Sequence, residues 1–372
     1  MIATFPHMGN IYIMVKTLFD EMGIDYVLPP KCSKKTLEIG AKYSPEMACL
    51  PLKINIGNFI ESIEKGADTI FITGACGPCR FGYYAEMHRE ILRDLGYDAE
   101  VVALEINEKG LKDLIAKLKK LTGGKKLASL AKPLFKAYKA LCMADKIDEL
   151  SYQTRPLEIT KGQTDKVIDD YRNKLLETKS VKETFELMRD TEQRLLNIEL
   201  ERKDTVKVGI VGEIYTLIEP FTNLHIEKIL GNMGITAHRS LYISQWIKEH
   251  IIKQGLHIKS KKEFAVAAKP YLKTHIGGHA LETIGNSVLY ARGGYDGVVQ
   301  IYPLTCMPEI VADGIMPAVR KDYDLPSLTL VMDEITGEAG YLTRIDAFAD
   351  MLIRRKQLRE EKKKNEVLLL RH

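Results

Sequence analysis

The chain has 372 residues, more than one hydrophobic core usually organises, so two or three domains are expected. Hydrophobic residues make up 45% of the sequence and charged residues 28%, as in an ordinary soluble protein. The net charge of +4 is small against 54 basic and 50 acidic residues, and no basic stripe is interleaved with aromatic residues, so nucleic acid is not an expected partner.

Strand and helix patterns alternate over the first hundred residues, and glycines or prolines close several of them. The predicted elements are a strand at 1–5, a helix at 9–22, a strand at 25–30, a helix at 52–64, a strand at 68–73, a helix at 81–94 and a strand at 99–104. This alternation predicts a parallel, doubly wound sheet.

Helical periodicity with many charges dominates residues 108–204, and strand character returns at TVKVGIVGE. The later predicted elements are a strand at 205–213, a helix at 222–233, a strand at 235–240, a helix at 277–292, strands at 297–303 and 328–334, and a helix at 343–354. We therefore predict an α/β fold of two Rossmann-like, doubly wound halves with parallel sheets and a helical insertion. The expected divisions are 1–107, 108–204, 205–355 and a charged helical tail at 356–372.

Export and membrane signals are not recognised in the sequence. The N-terminal MIATFPHMGNIYIMV lacks the basic, apolar and small-residue regions of a signal peptide. No uncharged apolar run approaches the roughly 20 residues that cross a bilayer. The expectation is a soluble cytoplasmic protein, in which scattered cysteines serve metal binding, catalysis or plain burial rather than disulfides.

An internal repeat links two of the cysteine loops. Residues 66–79 and 294–309 each contain a glycine, an aspartate two residues later, an apolar strand and a cysteine in the following loop. Chemistry in open α/β sheets gathers outside the carboxyl ends of the strands. The two halves are therefore expected to bring their cysteine loops together.

Three cysteines share one local design, a thiol in a loop followed by a proline or a helix start. Cys49 precedes Pro51, Cys79 precedes the helix RFGYYAEMHREILRDL, and Cys306 is followed two residues later by proline. A helix N-terminus is expected to lower the pKa of a thiol and to stabilise an anionic cluster. The arrangement favours an oxygen-sensitive iron–sulfur site.

Other interpretations of the cysteines stay open. Buried free cysteine is common, and this is the preferred interpretation of Cys32 and Cys142. Cys76 and Cys79 form a C-G-P-C sequence of the kind seen in thioredoxin-like redox enzymes. Zinc is the third alternative, although it favours two paired C-x-x-C motifs.

Five segments resemble the acyl-CoA dehydratase activase-related proteins, which are similar to the D-component subunits of 2-hydroxyacyl-CoA dehydratases and to double-cubane cluster proteins. GPCRFGYY, within GPCRFGYYAEMHREILRDLGYD, is the most specific piece, and residues 108–204 are not covered. The other segments are EMACLPLKINIGN, HIGGHALETIGNSVLYA, TCMPE and DEITGEAGYLTRIDAF.

The resemblance implies a 4Fe-4S cluster held by three cysteines, with one iron open or bridged. Cys49 matches the first ligand, the GACGPC loop the second and Cys306 the third. Cys79 is the choice within that loop because it belongs to GPCRFGYY, and Cys76 is then an auxiliary ligand or a neighbour. An 8Fe-9S double-cubane cluster is the alternative, although such proteins use more cysteines than this sequence offers at matching positions.

The resemblance also implies low-potential electrons from an ATP-dependent activase, used for reductive or radical chemistry on an acyl-CoA or another small molecule. One alternative is an electron-transfer or assembly subunit without its own substrate, which predicts a coordinatively closed cluster. Another is a dithiol oxidoreductase that works through Cys76 and Cys79. A homodimer is expected only from the common symmetry of oligomers.

Polar residues next to the cysteines are candidates for catalysis. Arg80, Tyr83 and Tyr84 follow Cys79 within about one helical turn, where they are placed to hydrogen-bond cluster sulfide or substrate. Packing in the core and at its rim is the alternative role of the two tyrosines.

Glu46 and Lys53 bracket Cys49 and are expected to pair. An exposed pair contributes only about 0–1 kcal/mol, so a functional role requires burial. His275 and His279 flank a Gly-Gly turn, which favours capping or substrate contact over metal binding. The chain contains neither G-x-G-x-x-G nor a P-loop sequence, so nucleotide binding by this chain is not indicated.

Overall fold

Two parallel sheets organise the chain. The computed structural model describes residues 1–73, 79–104, 116–117, 127–253 and 263–369. The strands are β1 (Ala3–Thr4), β2 (Thr69–Thr73), β3 (Glu100–Leu104), β4 (Val206–Gly212), β5 (Ile235–Arg239), β6 (Gly297–Pro303) and β7 (Ser327–Met332). The strand order is β1-β2-β3 in the first sheet and β5-β4-β6-β7 in the second, and every pairing is parallel. The predicted fold class is confirmed.

Helices surround both sheets. They are α1 (Ile11–Met22), α2 (Lys34–Tyr43), α3 (Leu50–Ile63), α4 (Tyr84–Asp94), α5 (Ala131–Thr154), α6 (Gln163–Glu177), α7 (Val181–Leu196), α8 (Ile214–Ile218), α9 (Ile226–Asn232), α10 (Ile243–Ile247), α11 (Glu263–Ala268), α12 (Ala280–Arg292), α13 (Met307–Tyr323) and α14 (Glu338–Leu369). Short 3₁₀ turns occupy Arg80–Tyr83, Leu127–Leu130 and Arg155–Leu157, and a π turn occupies Lys248–Ile252. None of the described helices is long and apolar enough to cross a membrane.

Local sequence signals set several helix ends. Gly23 ends α1 in the left-handed conformation, with φ of 63°. Ser33 begins α2 with a capping box, in which its side chain accepts from the Thr36 N–H. Pro51 stands in the first turn of α3, where its missing N–H costs no hydrogen bond.

The predicted strand at 25–30 is wrong. Only one bridge forms there, between Ala3 and Tyr26, and Val27 donates its N–H to the Ala3 carbonyl at 2.8 Å. Pro29 and Pro30 carry no N–H, so the ladder cannot continue through them. Helix α2 was not among the predicted elements, although Ser33 begins it with a capping box.

Helix α3 lies between the two sheets. Its residues from Leu50 to Ser62 are all buried. Leu50 and Ile54 pack in the core around β4 and β6, whereas Leu52, Ile56 and Phe59 pack in the core around β2 and β3. The first residue of this helix is therefore held where the two halves meet.

The second sheet contains a topological switch point. Its central strand β4 pairs with β5 on one side and with β6 on the other. Ligands in such sheets bind beyond the carboxyl ends of the two strands that flank the switch, here β4 and β6. Glu213 follows β4 directly, and Cys306 follows β6 after two intervening residues.

Candidate functional site

Each of the three predicted cluster cysteines occupies the N-cap position of a helix or a 3₁₀ turn, and none of their side chains forms a capping hydrogen bond. Cys49 precedes α3, Cys79 precedes the 3₁₀ turn that leads into α4, and Cys306 precedes α13. Prolines stand in the first turns of α3 and α13. The shared local design that the sequence predicts is present at all three positions.

The guanidinium of Arg80 joins the loops of these cysteines. It donates to the Met47 carbonyl at 3.0 Å, two residues before Cys49. It also donates to the Thr305 carbonyl at 2.5 Å and to the Thr305 hydroxyl at 2.9 Å, one residue before Cys306. Because Arg80 follows Cys79 directly, one side chain ties all three cysteine positions together.

Thr305 holds an unusual backbone conformation beside Cys306. Its φ is 73°, in the left-handed region that a β-branched residue rarely adopts. Such strain persists only when surrounding contacts hold it, and two of the three hydrogen bonds from the Arg80 side chain end on this residue. The Cys306 loop is therefore fixed from the first half of the chain.

Burial and nearby charges raise the pKa values of the Cys49 and Cys306 thiols. Burial raises the pKa of Cys49 to about 11, with the Glu213 carboxylate adding to the effect and Arg80 opposing it. Burial also raises the pKa of Cys306, and the charges of Glu213, Glu309 and Cys49 raise it further. The predicted lowering of thiol pKa at helix N-termini is wrong for these two cysteines, because desolvation outweighs the helix dipole.

Two carboxyl groups beside the cysteines were not predicted as site residues. Glu213 accepts hydrogen bonds from the N–H groups of Tyr215 and Thr216 at 3.0 and 2.9 Å, and burial raises its pKa. Glu309 lies in the first turn of α13 and is fully buried, which raises its pKa to about 8. The positions of these two acids in the sequence could have indicated them as site residues. Glu213 directly follows β4, and Glu309 lies three residues beyond Cys306.

Lys53 connects the Cys49 helix to the second half of the chain. Its side chain is 2% exposed, and its ammonium group forms an ion pair with Glu334 and donates to the Glu46 carbonyl at 2.9 Å. The expected pairing between Lys53 and the Glu46 carboxylate is wrong, because Glu46 is exposed and contributes only its backbone oxygen.

The two tyrosines after Cys79 have different surroundings. Tyr84 is buried and its hydroxyl contacts the Cys49 sulfur, whereas Tyr83 is 63% exposed. Burial and the neighbouring Cys49 raise the pKa of Tyr84, so its hydroxyl keeps its proton. Tyr84 thus presents a protonated hydroxyl beside the Cys49 sulfur, and Tyr83 lies at the rim.

Other candidates lie apart from these contacts or outside the described residues. Cys76 belongs to 74–78, which the structure does not describe. The His275 imidazole accepts from the Gly277 N–H at 3.2 Å, whereas His279 occupies the N-cap position of α12 without a capping hydrogen bond from its side chain. Cys32 lies beside His7 and Glu219, a grouping that sequence reasoning missed.

Most of the chain matches a known protein family. A family model described as the CoA enzyme activase uncharacterised domain matches residues 2–241. The matched segment contains the first sheet, helices α5 to α7 and strands β4 and β5. It therefore includes the helical region 108–204, which the motif resemblance leaves out, and it ends before Cys306. No curated protein matches the chain.

Proposed function

The chain belongs to the CoA enzyme activase uncharacterised domain family, and we propose that it is an iron–sulfur protein in which Cys49, Cys79 and Cys306 hold a 4Fe-4S cluster. The observation that carries this proposal is the set of hydrogen bonds from Arg80, which ties together the loops of all three cysteines. A bound cluster supplies one-electron chemistry and, at an iron without a protein thiolate, a Lewis-acidic position.

The donor set fits an anionic iron–sulfur group. All three thiols stand at helix starts, where unpaired N–H groups and the helix dipole favour negative charge. Arg80 adds a fixed positive charge beside them. Since burial keeps Cys49 and Cys306 protonated in the metal-free chain, iron binding displaces these protons and strengthens as pH rises.

Residues near the three cysteines have separate proposed roles. Tyr84 offers a protonated hydroxyl beside Cys49, and Arg80 fixes the spacing of the loops. Glu309 offers a buried carboxyl group that is protonated at neutral pH, close enough to influence Cys306. These groups are suited to hold protons and orient donors while electrons pass through the site.

Exposed apolar side chains lie close in sequence to the cysteines. Met47 is 67% exposed, Tyr83 63%, Leu304 50% and Met307 43%, and each lies within four residues of a cluster cysteine. Exposed apolar side chains that gather at one place favour a protein interface. We infer that an ATP-dependent activase docks on this surface and delivers low-potential electrons for reductive or radical chemistry, with an acyl-CoA as the proposed substrate class.

The test is the iron and acid-labile sulfide content of strictly anaerobic protein, together with its absorption spectrum. The variants are Cys49→Ala, Cys76→Ala, Cys79→Ala and Cys306→Ala, with Cys142→Ala as the matched control on α5. We expect about four irons and four sulfides per chain, lost with Cys49, Cys79 or Cys306 and kept in the control.

The Cys76→Ala variant separates the two forms of the site. Retained iron means three protein thiolates and an open iron, as the proposal states. Lost iron means that Cys76 is a ligand and supports a closed electron-transfer centre. Absence of iron after anaerobic reconstitution of the unmodified chain would overturn the cluster proposal and favour a dithiol enzyme at Cys76 and Cys79.

A further inference from the structure

A second group of metal-ligating side chains lies outside the cysteine loops just described. The donor atoms of His7, Cys32 and Glu219 all lie within 4.8 Å of one another, and all three residues have little exposure. His7 follows β1, Cys32 precedes α2 and Glu219 follows α8. Three distant segments therefore bring a nitrogen, a sulfur and an oxygen donor to one point.

Neighbouring groups hold the imidazole and the carboxylate in place. The His7 Nδ1 lies 2.9 Å from Glu219 Oε2, and the His7 ring stacks on Tyr12 with a centroid distance of 5.1 Å. Gly9 and Phe221 donate their N–H groups to the two Glu219 oxygens at 2.9 and 3.2 Å. Hydrogen bonds of this kind orient the ligands of metal sites.

Gly9 is required for this arrangement. Its φ is 48°, and a Cβ atom there would lie 2.4 Å from the Ile218 carbonyl oxygen, too close for any side chain. The absence of a side chain lets the Gly9 N–H reach Glu219. The backbone is thus shaped around the carboxylate.

The ordinary interpretation is a buried ion pair between His7 and Glu219 beside a cysteine that packs against the hydrophobic core. The Cys32 sulfur also lies 3.9 Å from the His7 carbonyl oxygen and 3.9 Å from the Tyr215 hydroxyl. The Tyr215 hydroxyl itself donates to the His7 carbonyl at 2.9 Å. A thiol at this point adds the third donor that a metal ion needs.

Imidazole, thiolate and carboxylate are the three ligand types that Zn²⁺ accepts, in a tetrahedron with distances of about 2.0–2.3 Å. The three residues also line a cleft of about 490 Å³ that extends between α5, α6 and the Glu219 loop. Zinc sites with three protein ligands and a fourth position open to a cleft are of the catalytic kind rather than the structural kind.

We propose that His7, Cys32 and Glu219 bind one Zn²⁺ whose fourth position faces this cleft. On binding, the Cys32 thiol proton is released to solvent, and the proton between His7 and Glu219 is displaced to the other imidazole nitrogen or to solvent. The ion then balances the charges of the thiolate and the carboxylate. This site is independent of the iron site proposed above, because the two share no ligand.

The test uses Co²⁺ as a spectroscopic substitute for Zn²⁺ on the full-length variant C49S/C76S/C79S/C306S, which lacks the thiols of the iron site. We expect one Co²⁺ per chain, with thiolate-to-cobalt charge-transfer absorption that Zn²⁺ abolishes by displacement. Adding Cys32→Ser removes this absorption and weakens binding roughly tenfold to hundredfold or more. Adding Cys142→Ser, the matched control, leaves both unchanged.

Two further measurements keep the proposal open to refutation. Glu219→Gln in the same background is expected to weaken Co²⁺ binding without removing the thiol, and circular dichroism checks that each variant is folded. Zinc content of the parent chain and of Cys32→Ser, measured after zinc loading, should differ by one ion per chain. Absorption that persists in Cys32→Ser, or equal zinc contents, would overturn the site whatever the outcome at the iron site.

Discussion

Arg80 shows how one residue takes on a role that its neighbours in sequence do not indicate. It was a candidate only because it follows Cys79, yet its guanidinium reaches Thr305, which lies 225 positions away along the chain. A planar group with several N–H donors can bind two carbonyl groups at once, which an ammonium group does less precisely. The residue therefore fixes the spacing between loops of the two halves.

Glu309 makes the stability of the metal-free chain depend on pH. Burial raises its pKa to about 8, whereas in the unfolded chain it titrates near the usual value of about 4.3. Between these two values the unfolded state releases a proton that the folded state keeps, so the free energy of unfolding falls as pH rises. Above about pH 8 the stability that the protonated Glu309 carboxyl group provides is fully lost.

We predict that Glu309→Gln removes this dependence. The amide stays neutral and can still accept from the Thr283 hydroxyl, which lies 3.0 Å from the carboxylate oxygens. The free energy of unfolding is measured with urea at pH 5 and pH 9. Relative to that of the parent, the value for the variant should rise by on the order of 4 kcal/mol from pH 5 to pH 9. Glu38→Gln, at an exposed position of α2, is the control. Parallel pH profiles for the parent and Glu309→Gln would contradict the assignment.

At the scale of elements, the position of Cys49 depends on how α2 and α3 cross. A Cβ atom on Gly40 would lie 1.6 Å from the Lys53 carbonyl oxygen, and one on Gly57 would lie 1.9 Å from the Thr36 carbonyl oxygen. Both obstacles are backbone atoms, which cannot rotate away. The two helices are therefore in direct backbone contact, and Cys49 begins one of them.

Gly40→Ala should push α2 away from α3. We expect it to lower the free energy of unfolding by about 3 kcal/mol or more, and to reduce the iron content of anaerobic protein because α3 shifts. Gly314→Ala is the matched control, since nothing lies within 4 Å of the added methyl group in α13. That substitution should stabilise the chain by about 0.5–1 kcal/mol. Equal effects in urea unfolding would show that the crossing is not tight.

Helices and strands were predictable from the sequence where the local residue pattern agrees with the burial of the element in the fold. The strand at 297–303 was predicted with its observed bounds, because all seven residues are buried and only Gln300 interrupts its apolar sequence. Helix α2 was not predicted, although Ser33 offers a capping box, and the contact with α3 that requires Gly40 is invisible in sequence. The segment at 25–30 has strand composition, but its two prolines limit pairing to one bridge.

At the scale of the whole molecule, parallel topology explains why the meeting of the cysteine loops could be predicted. It gave no indication of the group formed by His7, Cys32 and Glu219. Loops that follow parallel strands meet at one edge, so the repeated pattern before Cys306 was informative. His7 and Glu219 lie 212 positions apart and belong to no motif with Cys32. Only the packing of the two halves brings them together.

The same packing of halves gives Lys53 a testable role. Its buried ammonium group, on α3, pairs with Glu334, which follows β7 and is 28% exposed. Removing the carboxylate leaves a buried cation with only the Glu46 carbonyl, whereas removing the cation leaves a carboxylate that water can reach. Substitution of Glu334 should therefore lower the free energy of unfolding by more than substitution of Lys53.

We predict that Glu334→Gln lowers the free energy of unfolding by about 2–4 kcal/mol, and that Lys53→Met lowers it by less, because an apolar side chain of similar length fills the buried space. Glu38→Gln, at the exposed pair with Lys34, should change it by less than about 1 kcal/mol. The measurement is urea unfolding of metal-free protein at pH 7. If Glu334→Gln costs no more than Glu38→Gln, the ion pair does not hold the halves together, and Arg80 is left as the main polar link between the Cys49 and Cys306 loops.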